Sequence, residues 1–390
     1  MAAPASTEPD AVLATRELVP QIRDAAPDID RQRQLPRELV EEMRRRGLFH
    51  LYVPASLGGL ECDPVTAARV VEEVARADGS TGWCVMIAGQ TASFAGFFED
   101  EQAQEVWGDG QIACGTARPV GRAELTDTPA HGYHVSGRWP FASGSSHADW
   151  FAAESVVTSG GEPVRDSDGN EVTRVCMVPA AEVTIEHTWD SLGLRGTASH
   201  DFSVAGAFVP RARGFQVLVD EPRHPWIYYQ ALPLMFINHG SHALGVASAA
   251  LETAAEIAAA KPAWGNQQVL RDVARIQLQY AEALALVESA RSWLYQAAGA
   301  YWERCLAGET GDPETRWRMR LATSHAAASS VRAVETLHSA LGTSGIFVKS
   351  PLERQFRDIR TAGAHVMISP LTFEAAGRSA LGLEPDFPFF

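Results

Sequence analysis

Cysteine is scarce in this chain. There are five in 390 residues, at positions 62, 84, 114, 176 and 305, and no two form a C-x-x-C pair. An odd, scattered set excludes a disulfide framework or a thiolate zinc site and fits the reduced thiols of a cytoplasmic protein. Positive charge is also in short supply: 33 Lys and Arg stand against 48 Asp and Glu, a formal net charge of −15. Such a surface repels phosphate backbones, so nucleic acid is not an expected partner. No apolar run approaches the length of a membrane span. Residues 1–9 carry neither a basic start nor an apolar block, so neither a membrane association nor a secretory leader is expected. Phosphate-binding glycine loops are missing too. Residues 115–121 do not fit G-x-G-x-x-G, and Ser159-Gly160-Gly161 lies in a polar loop with no following helix. Gly144-Ser145-Ser146 lacks the closing glycine of a nucleophile elbow. His239 and His242 stand three apart, but no third ligand at fixed spacing accompanies them, so no metal is expected. No internal repeat is present.

What remains is a chain with 46% hydrophobic and 21% charged residues, enough for a large core in two or three domains. Residues 1–30 read as a mobile lead-in that turns helical. Leu35, Leu39 and Met43 recur every four residues before Gly47, which predicts a helix over 35–47. Ala68, Val71, Val74 and Ala75 share one face of a helix over 64–77, and an apolar segment spans 82–98. Glu99-Asp100-Glu101 reads as a solvated helix start. The texture then changes. β-type segments at 111–116, 132–138, 150–157, 172–178 and 202–209 are separated by Gly, Pro, Asp and Ser. Residues 159–170 form a polar hairpin loop in which Asp168-Gly169 suits a tight turn. From about 228 the pattern is helical again. Val269, Val273, Ile276, Tyr280, Leu284, Val287 and Leu294 make one long stripe, followed by helices over 313–341 and 370–381. The expected fold class is α+β, mostly α: an N-terminal helical domain (1–110), a central β-barrel-like domain (111–215) and a C-terminal helix bundle (216–390).

The densest signal is Gly137-Arg138-Trp139-Pro140-Phe141-Ala142-Ser143-Gly144. It joins two aromatic rings, a hydroxyl and a turn glycine between β-type segments. A flat heteroaromatic cofactor needs such a ledge, with rings over its face and a hydroxyl at its reactive edge. The plain alternative is a hairpin corner with buried aromatics and a turn serine.

Several stretches in the same order resemble the acyl-CoA dehydrogenase superfamily. They are Leu35-Pro36 to Gly47-Leu48, Val53-Pro54 with Gly58-Gly59, and Val71-Glu72-Glu73-Val74-Ala75-Arg76-Ala77-Asp78. Leu192-Gly193-Leu194-Arg195-Gly196-Thr197 and Gly342-Thr343-Ser344-Gly345, then Glu353-Arg354 and Arg357-Asp358, continue the series. Two departures matter. The dehydrogenases often carry a catalytic Glu just after the Arg-Asp pair, where this chain reads Thr361-Ala362-Gly363-Ala364-His365-Val366-Met367. They also use an Arg before Phe-Gly to grip the FAD diphosphate, where this chain reads Lys261-Pro262-Ala263-Trp264-Gly265. Both departures, the Trp-Pro-Phe-x-Ser-Gly segment and the late His are similar to a sister group on that fold. These are the two-component flavin-dependent monooxygenases, which include p-hydroxyphenylacetate, steroid-phenol and indole hydroxylases.

That resemblance implies an oxygenase using reduced flavin (FMN or FAD) and O₂, through a C4a-hydroperoxide, to hydroxylate a small phenolic or polycyclic aromatic substrate. A separate NAD(P)H:flavin reductase would supply the reduced flavin, and a homotetramer is implied, with Phe387, Phe389 and Phe390 in buried subunit contacts. Ser143 is the candidate partner of flavin N5 and His365 the candidate acid or base, its near-neutral pKa suiting either role. Trp139 and Phe141 would pack on the isoalloxazine, and Thr116 and Arg118 would approach its pyrimidine edge. Trp83, Met235 and His239 would line the substrate cavity. For each the plain alternative is ordinary packing. Rival readings are an amine or amino-sugar N-oxygenase, which needs carboxylates for the substrate ammonium, an atypical acyl-CoA dehydrogenase, and a non-catalytic flavin-binding scaffold.

Overall fold

The computed structural model describes residues 9–390 other than positions 129, 218, 266, 267, 388 and 389, and the side chain of 117. Residues 1–8 and Phe389, which figured in the expectations above, lie outside that set. Five helices come first: α1 (Asp10–Gln32), α2 (Arg37–Arg45), α3 (Pro64–Ala77), α4 (Gly79–Ala92) and α5 (Asp100–Trp107). The lead-in turns helical, as expected, already at Asp10, and forms the 23-residue helix α1. Pro20 and Pro27 mask it in the sequence, but Val12, Leu18, Ile22 and Ile29 bury one face of it. Two aspartates set the next boundaries. Asp63 accepts hydrogen bonds from the amides of Val65 and Thr66, with Pro64 at the first helical position. Asp78 ends α3 and caps α4 by accepting from the Thr81 amide. Gly82 lets α4 lie against α3, since a Cβ there would sit 2.6 Å from the Ala75 Cα.

The strands are β1 (Ala113–Thr126), β2 (Gly132–Ala142), β3 (Trp150–Ser159), β4 (Glu162–Pro163), β5 (Thr173–Pro179), β6 (Val183–Glu186), β7 (His200–Pro210) and β8 (Gly214–Phe215). They form one mixed sheet in the order β6-β7-β2-β1-β3-β5-β8, with β4 paired to β3. Among the described residues, only β1 and β3 run parallel. Alternation divides its side chains between two cores. Phe151, Ala153, Cys176 and Val178 pack inside the curl of the sheet with Trp139, Phe202 and Val204. Trp150, Ala152, Val175 and Met177 face Phe94, Phe97, Val106 and Trp107 of the N-terminal helices. The turn at Asp168-Gly169 is present, with Gly169 at φ +85°.

The Trp139 ring lies over two glycines. A Cβ at Gly121 would stand 2.0 Å from its Cζ2, and one at Gly137 3.0 Å from its Cη2. Gly121→Ala is therefore expected to destabilise the protein by about 1–3 kcal/mol, the usual cost of overpacking a filled core. Thermal denaturation would show a Tm lower by several degrees; an unchanged Tm means the ring has somewhere to go.

The last third is helical: α6 (Ile237–Ala260), α7 (Ala274–Leu306), α8 (Pro313–Leu341), α9 (Pro351–Ala362) and α10 (Pro370–Ala380). The expectation that no apolar run approaches the length of a membrane span fails at one segment. Residues 232–260 are long and apolar enough to cross a membrane by length and composition. In the fold α6 is the core of the bundle, with Leu244, Ala247 and Ala250 fully covered. The stripe on α7 also shifts. Val269 and Val273 precede the helix and Leu284 faces outward, while Ile276, Ala283, Val287, Ala290 and Leu294 are buried.

Candidate active site

One cavity of about 720 Å³ lies where α4, the β1–β3 edge, the 189–199 loop and the segment after α9 meet. That volume suits a flat tricyclic ring and a small aromatic beside it. From α4 and its exit come Trp83, Ile87, Gln90, Thr91 and Phe94, spaced so that they share one helix face. From β1 come Gly115, Thr116 and Arg118. The β1–β3 register slips between Thr116 and Gly121, which leaves this part of β1 free of regular pairing at the cavity. Met235 and Phe236 enter just before α6, and Thr361, His365 and Met367 after or at the end of α9. Among the described residues, none that lines the cavity is acidic.

Trp139 and Phe141 part company. A regular strand would put both on one face. The β2–β7 register shifts between Trp139 and Ala142, and Phe141 adopts φ +65°, a left-handed conformation that a bulky residue rarely holds. Trp139 is consequently fully buried inside the sheet, stacked on Phe202 at 5.1 Å, with Nε1 donating to the Glu154 carbonyl at 2.6 Å. Of the two rings expected at the cavity, Phe141 lines it and Trp139 does not. Phe141 is 56% exposed in the cavity wall, its ring edge-on to Trp189. The exposed ring is thus held by a backbone conformation that costs energy.

Ser143 sits in the turn after β2, and the Gly144 amide ties that turn to the Thr197 carbonyl at 2.8 Å. Its hydroxyl accepts from Trp83 Nε1 at 3.1 Å and meets the Ser199 hydroxyl at 2.6 Å. Trp83 in turn is ringed by three histidines, with centroids at 5.8 Å (His239), 5.2 Å (His242) and 5.5 Å (His365).

His365 lines the cavity, and its Nδ1 accepts from the Met367 amide at 3.3 Å. The proton of the neutral ring therefore sits on Nε2, which makes that nitrogen a donor. Burial, reinforced by the Arg320 guanidinium, pushes its pKa down to about 4. This overturns the near-neutral value expected from the sequence. Arg320 is itself buried; its Nη2 donates to the Met367 carbonyl, and its Nε and Nη1 have no partner among the described residues. His239 stands behind the cavity wall rather than in it. It is 1% exposed, its ring 4.5 Å from that of His365, and its Nδ1 accepts from Gln90 Nε2 at 3.2 Å. Burial and then His365 hold its pKa well below the usual value.

His242 offers a clean test of this buried, neutral environment. Its Nε2 donates to the Gly79 carbonyl at 2.8 Å, its Nδ1 has no partner, and burial pushes its pKa from 6.5 to about 4. The folded state then binds fewer protons than the unfolded chain between those values. The stabilisation is complete above pH 6.5 and is lost as pH falls toward 4. Urea unfolding at pH 7 and pH 4 is expected to show His242→Gln losing roughly 3 kcal/mol less than the parent protein. Parallel losses would mean the ring is protonated in the fold at little cost.

Trp83, Met235, Thr116, Arg118, Phe141, Ser143 and His365 are thus brought to one cavity, while Trp139 and His239 are not. Sequence reading missed Gln90, Trp189 and Ser199. The helical spacing from Trp83 to Gln90 and the proximity of Ser199 to the Leu-Gly-Leu-Arg-Gly-Thr stretch were the available signals. At the departure from the dehydrogenase diphosphate grip, Lys261 Nζ donates to the Leu341 carbonyl at 3.1 Å and the Ser344 hydroxyl at 2.8 Å, and Trp264 is fully exposed.

Comparison with known proteins places these features in context. Residues 13–107 match the acyl-CoA dehydrogenase N-terminal domain, and residues 237–370 match the C-terminal domain. An indole-3-acetate monooxygenase of Pseudomonas putida is 30% identical over 95% of this chain and 94% of that protein. The oxygenase component of an FADH2-dependent resorcinol hydroxylase of Rhizobium sp. is 27% identical over 98% and 97%. Among solved structures, XiaF from Streptomyces sp., in complex with FADH2 and glycerol, superposes with a TM-score of 0.88 at 25% identity, covering 97% of this chain and 96% of that one.

Proposed function

We propose, for a chain that belongs to the flavin-dependent monooxygenases of the acyl-CoA dehydrogenase family, the role of oxygenase component in a two-component system acting on a small aromatic substrate. The observation that carries this reading is an apolar cavity lined by Phe141, Ser143 and His365, with no carboxylate among the described lining residues. A dehydrogenase lacks its customary acid there, and an amine N-oxygenase lacks an anionic partner for the substrate ammonium. The residues fit a flavin. Phe141, exposed and conformationally strained, supports one ring face; Trp189 flanks it; Thr116 and Arg118 stand at the β1 edge. Reduced flavin, as FMN or FAD and supplied by a separate NAD(P)H-dependent reductase, contributes when bound the two electrons that activate O₂ for transfer of one oxygen atom.

The chain's own part is positioning and exclusion. Ser143 offers its hydroxyl at the ring edge, held from behind by Trp83. Ile87, Phe94, Leu194, Met235, Phe236 and Met367 keep bulk water from the reacting centre. His365 presents Nε2–H as a neutral donor to the oxygen being transferred or to a substrate oxygen, and it is not a cation at working pH. The test is oxygen incorporation. Reduced flavin, isotopically labelled O₂ and a panel of phenols and indoles should yield a hydroxylated product carrying one labelled atom. Oxygen uptake that ends only in hydrogen peroxide across the panel would contradict an aromatic substrate. A homotetramer joined through the C-terminal helices belongs to the same reading, although Phe390, expected in a subunit contact, packs within its own chain against Ala375 and Ala376; five buried unpaired cysteines support a cytoplasmic setting.

A further inference from the structure

Behind Ser143 lies a line of hydroxyls that the proposed reaction does not itself require. The Ser143 and Ser199 oxygens are 2.6 Å apart, Ser199 and Thr197 are 2.6 Å apart, and the Thr197 hydroxyl donates to the Leu194 carbonyl at 2.8 Å. All three side chains are buried, at 5%, 4% and 0% exposure. Each hydroxyl has one proton to give and two lone pairs. Two arrangements satisfy both oxygen–oxygen contacts in sequence. In the outward one, Ser143 donates to Ser199, Ser199 to Thr197, and Thr197 to the Leu194 carbonyl. Ser143 then presents only a lone pair to the cavity. In the inward one every proton reverses, and Ser143 presents O–H to the cavity. The Trp83 Nε1–H donates to Ser143 in both, so it does not choose between them.

The outward arrangement makes one more internal hydrogen bond, from Thr197 to the Leu194 carbonyl. That carbonyl also accepts from Trp189 Nε1 at 3.0 Å and the Thr197 amide at 3.2 Å, so it is not left bare when the line reverses. The bias is therefore that of a single buried neutral hydrogen bond.

The geometry points to Thr197 and Ser199 as positioning residues that fix Ser143 as a hydrogen-bond acceptor and so select reduced over oxidised flavin. Reduced flavin carries a proton on N5 and can donate to Ser143. Oxidised flavin has a bare N5 lone pair there and gains a partner only by reversing the line. This inference rests on the reading that Ser143 meets flavin N5.

The test is anaerobic equilibrium binding of oxidised FMN and of chemically reduced FMN to the parent protein, Thr197→Val and Ser199→Ala. The readout is the ratio of the two dissociation constants, independent of turnover. Thr197→Val keeps the side-chain shape but removes the outlet for the outward protons. Ser199→Ala leaves the Ser143 proton no acceptor except the cavity. In both variants the preference for reduced flavin should fall by about tenfold. The midpoint potential of bound flavin should fall by about 30 mV, the same ratio for a two-electron couple. Thr197→Ser should restore the parent ratio. An unchanged ratio in Thr197→Val and Ser199→Ala overturns the inference, as does an equal loss of affinity for both redox forms. Ser143→Ala separates the two claims. If its ratio and both affinities match the parent's, Ser143 does not meet N5 and the underlying reading fails. If its ratio changes while the Thr197 and Ser199 variants stay at the parent value, only the relay fails.

Discussion

Ser143→Ala is expected to leave the protein folded and to raise hydrogen peroxide release per reduced flavin consumed by about ten- to a hundredfold relative to product. The range follows from removing one buried hydrogen bond to an activated group, worth about 1.5–3 kcal/mol. The fold should survive because the backbone of the turn is held independently: the Gly144 amide donates to the Thr197 carbonyl and Ser145 Oγ donates to the Ala198 carbonyl at 2.6 Å. Two neighbours do lose a partner, since Trp83 Nε1 then has no acceptor and Ser199 loses one contact. Melting temperature, product yield and a peroxide assay on the same preparation separate the effects. Undiminished coupling would remove Ser143 from the reaction.

His365→Ala carries the second large expectation. Oxygen transfer should slow by roughly 10²–10³, the usual loss when a preorganised donor or acid–base group is removed from a dry site. Flavin affinity should change little, because the ring's backbone contact is to Met367 and its ring contacts are to Trp83 and His239. Single-turnover oxidation of substrate by premixed reduced protein, set beside flavin titration, distinguishes a slowed step from a weakened complex. The pH dependence adds a second check. With its pKa pushed down to about 4 by burial and Arg320, His365 is neutral near pH 7. The rate should show no inflection near pH 6.5 arising from this ring. An inflection there, absent from His365→Asn, would mean that substrate or flavin restores an ordinary imidazole pKa.

Much of the fold is legible in the chain because its signals are local. Pro64–Ala77, Pro313–Leu341 and the core of each main strand follow from apolar spacing and from Asp, Pro and Gly at the ends. Local signals also explain the misreadings. Two prolines obscured the extent of α1, whose helix persists because its Ile22 and Ile29 face is covered by the rest of the domain. The second half of β1, past Thr116, carries Pro119 and polar residues and falls outside the β-type segment 111–116, yet it pairs with β2 through Arg122 and Glu124. For the site, Ser143 and His365 were accessible only through resemblance, since a serine before glycine and a lone histidine have many ordinary explanations.

The sequence by itself determined the kinds of element, their order, the absence of paired cysteines and the aromatic–hydroxyl ledge, because each depends on neighbours within a few residues. Only the tertiary structure decided which ring of that ledge faces the cavity. Trp139 and Phe141 are two apart and would share a face in a regular strand. The shift in register against β7 and the left-handed turn at Phe141 send them to opposite sides. The tertiary structure likewise joined Trp83, Ser143 and His365, and lined up Ser143, Ser199 and Thr197, across long stretches of chain. It also fixed the charge state of His365. Burial and the field of Arg320 are properties of what surrounds a ring in space, and no spacing along the chain encodes them.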